Sequence, residues 1–155
     1  KPTREECARI GQMYIDTIEP GAVEFLAALR ELGWEPVIVS GGLTQAIEPF
    51  AKFLKIDKMR AVDLLFEEDG SYGGFDATCP TSRMGGKMEV INADRLAFDA
   101  EKVAMIGDGS SDLETQPHVD LFVGYGGFIE RERVRKESRH FVYKLIDVPA
   151  LLSEL

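Results

Sequence analysis

The sequence predicts an α/β fold in which helices cover both faces of a parallel β-sheet, with a small β-hairpin inserted. Segments with a helical apolar period of 3.6 residues alternate with short, continuous apolar runs that are typical of buried strands. Strands that alternate with helices imply β-α-β units and therefore a parallel sheet. The 155 residues are enough for one domain, and an apolar content of 45% is enough for an ordinary core.

The first half of the chain contains three predicted helices, one buried strand and a hairpin. Gly33 ends the second helix, Pro49 kinks or restarts the third, and Asp69-Gly70 forms the tight hairpin turn. In chain order the predictions are a helix over 2–16, a helix over 20–33, a strand over Val37–Val39, a helix over 43–56, and a strand with a hairpin over 61–75.

The second half repeats the alternation. A helix is predicted to begin near Gly86, with Lys87 in its first turn, and the charged segment 129–140 is predicted as a solvated helix. The other predictions are strands within 102–109, 119–127 and 139–145 and a closing helix over 148–155.

Composition and charge exclude several classes of protein. A formal net charge of −9 argues against a nucleic-acid-binding surface, although one local positive pocket could still hold a small anion. Cys7 and Cys79 lie in no metal-like spacing and are expected to be reduced thiols of a cytoplasmic protein. No run has the length of a membrane helix and no signal peptide opens the chain, but the chain opens at Lys1 rather than Met, so a missing natural start is one alternative.

Polar residues follow two of the predicted parallel strands. Ser40 ends the first strand and Asp108 ends the second, so both are expected at the same edge of the sheet, where ligands of α/β folds bind. The run Ser40-Gly41-Gly42 could direct backbone N–H groups and a hydroxyl at a phosphate, although an ordinary β-α turn has the same composition. Lys87 adds positive charge to the positive end of a helix, which is unfavourable unless an anion binds there. The alternative is that Lys87 is an ordinary solvated lysine on the surface.

The strongest pair is Asp108 and Asp112, within Gly-Asp-Gly-Ser-Ser-Asp. Carboxylate oxygens suit a hard cation such as Mg²⁺. The alternative is structural, with Asp112 as a helix cap and Asp108 as a turn residue.

These elements occur in a fixed order: a strand with Ser-Gly-Gly, then Gly-Gly-Lys, then a strand with Gly-Asp-Gly and a second aspartate. This order resembles the second to fourth motifs of the haloacid dehalogenase superfamily. From about Pro20 to the C-terminus, the chain resembles the phosphoserine phosphatase family. The resemblance implies a three-layer Rossmann-like core and a phosphomonoester hydrolase that uses Mg²⁺ and a phosphoaspartate intermediate, with O-phospho-L-serine as the expected substrate.

The resemblance also implies residue roles. Ser40 and the Gly41 amide would bind the phosphoryl group, and Lys87 would neutralise its charge. Asp108 would ligate Mg²⁺, Asp112 would orient the metal's waters or Lys87, and Ser111 would touch substrate or phosphate.

The family's first motif, Asp-x-Asp after an apolar strand, is missing from the 155 residues. Neither Asp16 nor Asp76 fits it. We therefore expect residues 1–16 to be the remnant of a helical cap and residues 17–155 to be a core that lacks its first strand, completed by an N-terminal segment or by a second copy in a homodimer. One alternative is a catalytically inactive phosphate- or metal-binding relative of the same fold. The other is a receiver-type domain. Such a domain needs an acidic pair after its first strand and a phospho-accepting aspartate at the end of its third, and neither is seen.

Overall fold

The computed structural model describes residues 1–155 and contains seven helices and seven strands. The helices are α1 (Arg4–Asp16), α2 (Ala22–Glu31), α3 (Thr44–Phe53), α4 (Gly86–Ala97), α5 (Ser110–Leu113), α6 (Glu132–Glu137) and α7 (Val148–Leu152). The strands are β1 (Val37–Leu43), β2 (Lys58–Val62), β3 (Leu64–Phe66), β4 (Tyr72–Phe75), β5 (Ala104–Gly107), β6 (Leu121–Tyr125) and β7 (His140–Val142). The predicted alternation of helices and strands is confirmed. No helix combines the length and the apolar character that are needed to cross a membrane.

The chain forms two compact units. The first contains residues 1–20 and 36–86, and the second contains residues 21–35 and 87–155. Whether residues 1–16 derive from a cap stays a prediction.

In the first unit, β1 pairs in parallel with β2, and β3 pairs with β4 as the predicted antiparallel hairpin. Helix α1 packs against α3 so closely that a Cβ at Gly11 would stand 2.8 Å from the Ala46 carbonyl oxygen. Pro49 lies inside α3, which continues through it to Phe53 rather than starting afresh. The core beneath these helices is formed by Cys7, Ala46 and Leu64.

The second unit contains a three-stranded parallel sheet in the order β5-β6-β7. Leu113, Phe122 and Val134 form its buried cluster. Val134 has no exposed surface, so the short helix α6 is anchored in the core and is not the fully solvated helix that its charges predict. Helix α2 buries Ala22, Phe25, Leu26 and Leu29, the apolar face expected from their spacing, and the chain turns at Gly33 with φ +82°.

The structure corrects one expectation about the strands. The parallel strands form two hydrogen-bonded sheets, one of β1 and β2 and one in the order β5-β6-β7. Strand β1 does not end at Ser40 but continues to Leu43. Between Val39 and Leu43 its three residues 40–42 lie opposite the single residue Ala61 of β2, so the predicted loop is a bulge within the strand.

Candidate active site

The bulge of β1 places Ser40, Gly41 and Gly42 immediately before α3. The Gly42 N–H donates to Ser40 Oγ over 3.0 Å, which leaves the Ser40 hydroxyl proton available to another acceptor. A Cβ at Gly42 would stand 3.1 Å from both Ser40 Oγ and Ile47 Cδ1, so glycine suits this tight turn. Helix α3 begins at Thr44 and presents its N–H groups and positive dipole end at the end of the bulge. The arrangement can bind an anion.

A short 3₁₀ turn, Pro80–Ser82, packs beside the bulge in the same unit. The Thr81 carbonyl oxygen is 3.4 Å from the place where a Cβ of Gly41 would stand. A Cβ at Gly86 would come within 1.7 Å of the Pro80 carbonyl oxygen, so only glycine fits at the first residue of α4. Thr81 is buried and its hydroxyl has no hydrogen-bond partner in the protein, which is uncommon for a buried polar group.

The second unit brings Lys87 and Asp112 together. Lys87 Nζ donates to Asp112 Oδ1 over 2.5 Å, and their side chains are only 15% and 8% exposed. Asp112 Oδ2 accepts from the Gly109 N–H over 2.9 Å, across the first turn of α5. Asp112 is thus a helix cap and the partner of Lys87 at once, and the predicted cap and the predicted site residue are the same group.

Glycines make the room for the Asp112 carboxylate. A Cβ at Gly107 would stand 2.3 Å from the Cβ and Cγ of Asp112, and a Cβ at Gly109 would stand 3.1 Å from Asp112 Oδ2. The sequence Gly-Asp-Gly at the end of β5 therefore allows the backbone to fold around this side chain.

Asp108 lies directly after β5 and has a different partner. Arg131 Nη1 donates to Asp108 Oδ2 and, over 3.2 Å, to the Asp108 carbonyl oxygen. Both side chains are 43% exposed. Ser111 lies on α5 with its side chain exposed to solvent.

Two residues, one in each unit, were not predicted from the sequence. Arg131 lies in a segment of alternating charge, where nothing distinguishes it from its neighbours, and its pairing with Asp108 depends on the path of the chain after β6. Thr81 follows a proline in a polar segment and gives no sequence signal at all. That Ser40 and Asp108 share one edge of a sheet stays a prediction.

Asp16 and Asp76, the two aspartates of the chain considered for the family's first motif, both lie where a nucleophile is not expected. Asp16 is the last residue of α1 and accepts a hydrogen bond from Gln12, so it does not follow a strand. Asp76 follows hairpin strand β4, and the Thr78 hydroxyl and N–H donate to its Oδ1, which lowers the pKa of Asp76. Both aspartates have structural roles, and neither ends a parallel strand.

The donor set at the end of β5 is compatible in its chemistry with Mg²⁺. No group of three or more His, Cys, Asp or Glu side chains is arranged to hold a metal ion. Mg²⁺, however, is commonly held by only one or two carboxylates together with waters and phosphate oxygens. Asp108 supplies one half-exposed carboxylate of this kind, whereas the carboxylate of Asp112 is engaged by Lys87 and Gly109.

Comparisons of the sequence and of the structure with known proteins indicate the same family of hydrolases. The profile of the haloacid dehalogenase-like hydrolase family matches residues 1–115. The chain is 33% identical over 156 residues to a phosphoserine phosphatase of Homo sapiens, covering 99% of this chain and 69% of that protein. It is 37% identical over 131 residues to a chloroplastic phosphoserine phosphatase of Arabidopsis thaliana, covering 82% and 44% respectively.

Among solved structures, a phosphoserine phosphohydrolase-like protein from Francisella tularensis superposes with a TM-score of 0.85 at 26% identity. The match covers 97% of this chain and 71% of that one.

Proposed function

The chain belongs to the haloacid dehalogenase-like hydrolase family, and we propose that it is the greater part of a Mg²⁺-dependent phosphomonoester hydrolase that acts on O-phospho-L-serine. Its relatedness to phosphoserine phosphatases supports a phosphatase. The observation that carries the proposal is the nearly buried Lys87–Asp112 pair beside Asp108, at the end of a parallel strand. A lysine held against a carboxylate is a positioned cation, and such a cation stabilises the charge of a transferring phosphoryl group.

In the proposed reaction, an aspartate carboxylate oxygen attacks phosphorus and the bond from phosphorus to the serine oxygen breaks. A general acid donates a proton to the departing serine oxygen, and its conjugate base then takes a proton from the attacking water. Water then cleaves the acyl phosphate, which releases inorganic phosphate and restores the carboxylate. No aspartate of residues 1–155 suits the first step, and a second copy of these residues would bring the same aspartates. We therefore propose that the nucleophile lies on a strand of an N-terminal segment, although a second copy could still complete the sheet.

The residues of this chain bind and orient the phosphoryl group. Ser40, with its free hydroxyl proton, and the Gly41 amide donate to phosphoryl oxygens. Lys87 offsets their negative charge, and Asp112 keeps the ammonium group in position. Ser111, exposed on α5, contacts the substrate.

Asp108 would hold Mg²⁺, which when bound supplies Lewis-acid stabilisation of phosphoryl oxygens. Because its carboxylate is 43% exposed, the ion and its waters can reach it. Asp112, which is engaged by Lys87 and the Gly109 N–H, would orient Lys87 or the metal's waters.

The test is a phosphatase assay on the complete protein with O-phospho-L-serine, O-phospho-L-threonine, glycerol 3-phosphate and p-nitrophenyl phosphate. We expect phosphoserine to have the highest kcat/KM and activity to require Mg²⁺. A protein that binds phosphate but turns over none of these substrates would be the inactive relative of the family. Preference for another phosphomonoester would retain the reaction and reject the substrate.

A further inference from the structure

We infer that Arg131 is a competing cation at Asp108, so that Mg²⁺ binds this carboxylate only as the Arg131 guanidinium leaves it. The inference rests on the proposed function, since it concerns the same carboxylate. Arg131 immediately precedes α6 and makes two contacts with Asp108, one to the carboxylate and one to the carbonyl oxygen. The guanidinium therefore occupies a hard oxygen ligand of the proposed metal site.

The charges around the β5–α5 turn are balanced before any ligand binds. Asp112 is matched by Lys87 and Asp108 by Arg131. A divalent cation at Asp108 would add two positive charges beside two that are already present, which the Coulomb interaction opposes. In the absence of a bound phosphate, one of the two protein cations is therefore expected to move away.

Exposure indicates which cation moves. The Lys87–Asp112 pair is 15% and 8% exposed, and separating its partners would leave a buried charge without compensation. The Arg131–Asp108 pair is 43% exposed on both sides, where ion pairs contribute little and a released guanidinium is readily hydrated. Arg131 is thus the group that exchanges.

The surroundings of Arg131 make the exchange reversible. The carboxylates near it in sequence already have partners: Glu130 pairs with Arg135 and accepts from Tyr143, Glu132 pairs with Lys136, and Glu137 pairs with Arg133. Each of them already has a partner, so none offers an unmatched carboxylate in place of Asp108, and we expect Arg131 to return to Asp108 when the metal leaves.

The experiment is a calorimetric titration of MgCl₂ into the complete protein and its variants. Arg131→Gln should bind Mg²⁺ about tenfold more tightly than the wild type. Arg135→Gln is the matched control, because it also removes one arginine charge, and the partner of Arg135 is Glu130 and not Asp108. We expect this control to change the affinity by less than about twofold.

A second measurement needs no variant. In ¹⁵N NMR spectra of the arginine side chains, MgCl₂ should shift the Arg131 signal and leave that of Arg133 in place. Equal tightening in both Gln variants, weaker binding in Arg131→Gln, or an Arg131 signal that ignores saturating Mg²⁺ would each overturn the inference. If Asp108→Asn binds Mg²⁺ as the wild type does, the metal assignment of the proposed function fails as well, and this outcome separates the two.

Discussion

Lys87 and Asp112, 25 residues apart in the chain, form a nearly buried ion pair with 2.5 Å between Nζ and Oδ1. The carboxylate also accepts from the Gly109 N–H. One aspartate therefore fixes both the first turn of α5 and the ammonium group that the proposed reaction needs.

Replacing Lys87 should affect both turnover and stability. In the complete protein, Lys87→Met should lower kcat by about 10²-fold or more, because a positioned cation for the phosphoryl group is lost. It should also lower the free energy of unfolding by about 3 kcal/mol, since the buried Asp112 carboxylate loses its partner. Urea unfolding and a phosphatase assay measure the two effects.

Lys136→Met is the control for Lys87, because Lys136 pairs with Glu132 on the exposed side of α6. It should change stability by less than about 0.5 kcal/mol and leave kcat unaltered. Near-normal turnover in Lys87→Met would mean that the lysine does not face the substrate.

Gly107→Ala should disrupt the site without removing any of its polar groups. The added Cβ would stand 2.3 Å from Asp112 Cγ, so the carboxylate must shift away from Lys87. We expect a loss of about 2 kcal/mol in stability together with a large fall in kcat. The control is Ser110→Ala, at an exposed position of α5, which should alter stability by less than about 0.5 kcal/mol. Wild-type stability and turnover in Gly107→Ala would contradict the geometry of the turn.

Asp108 should determine the response to metal. Asp108→Asn should weaken Mg²⁺ binding and abolish turnover in the complete protein, and EDTA should inhibit the wild type reversibly, with recovery on adding excess MgCl₂. Calorimetry and a chelator titration of the activity check both statements. Full activity in chelator would remove the Mg²⁺ assignment.

The paired strands predict how residues 1–155 behave when they are expressed alone. Strand β1 is paired with β2 and β5 with β6, so each has a second edge without a ladder. Every backbone group left buried and unpaired costs about 1–3 kcal/mol, and a whole domain has only about 5–15 kcal/mol of stability. We expect no cooperative monomeric melt and no turnover of p-nitrophenyl phosphate. A sharp melt of a monomer would show that these edges are tolerated, and turnover would show that the 155 residues contain a nucleophile.

The two thiols should react at different rates. Cys7 is 1% exposed, and burial raises the pKa of its thiol, so little reactive thiolate forms. Ellman's reagent at pH 8 should modify the half-buried Cys79 first and Cys7 only on unfolding, and Cys79→Ser should remove the fast phase. Equal labelling rates would contradict the burial of Cys7.

The raised pKa of Cys7 also makes its contribution to folding stability depend on pH. The folded state disfavours the thiolate, so this contribution is complete below the pKa of an unfolded thiol. It declines as the pH rises through the pKa of the folded state.

The local order of elements followed from the sequence because it depends on short-range chemistry. The spacing of Ala22, Phe25, Leu26 and Leu29 predicts the buried face of α2, and the structure confirms it. The hairpin with its turn at Asp69-Gly70 and the start of α4 at Gly86 are confirmed in the same way. Lys87 and Asp112 were selected from motifs and proved to be partners.

Contacts between distant segments were decided only by tertiary structure. Ser40 was expected to end a strand, but pairing with β2 extends β1 to Leu43 through a bulge, and no local pattern in residues 40–42 specifies that partner. Arg131 is one of many charges in a segment predicted as a solvated helix, and only the folded structure shows that it pairs with Asp108 while Val134 of the same segment is buried. Helix period and turn chemistry act over a few residues and are readable along the chain. Strand pairing and the choice of an ion partner depend on where the folded backbone places groups that lie tens of residues apart.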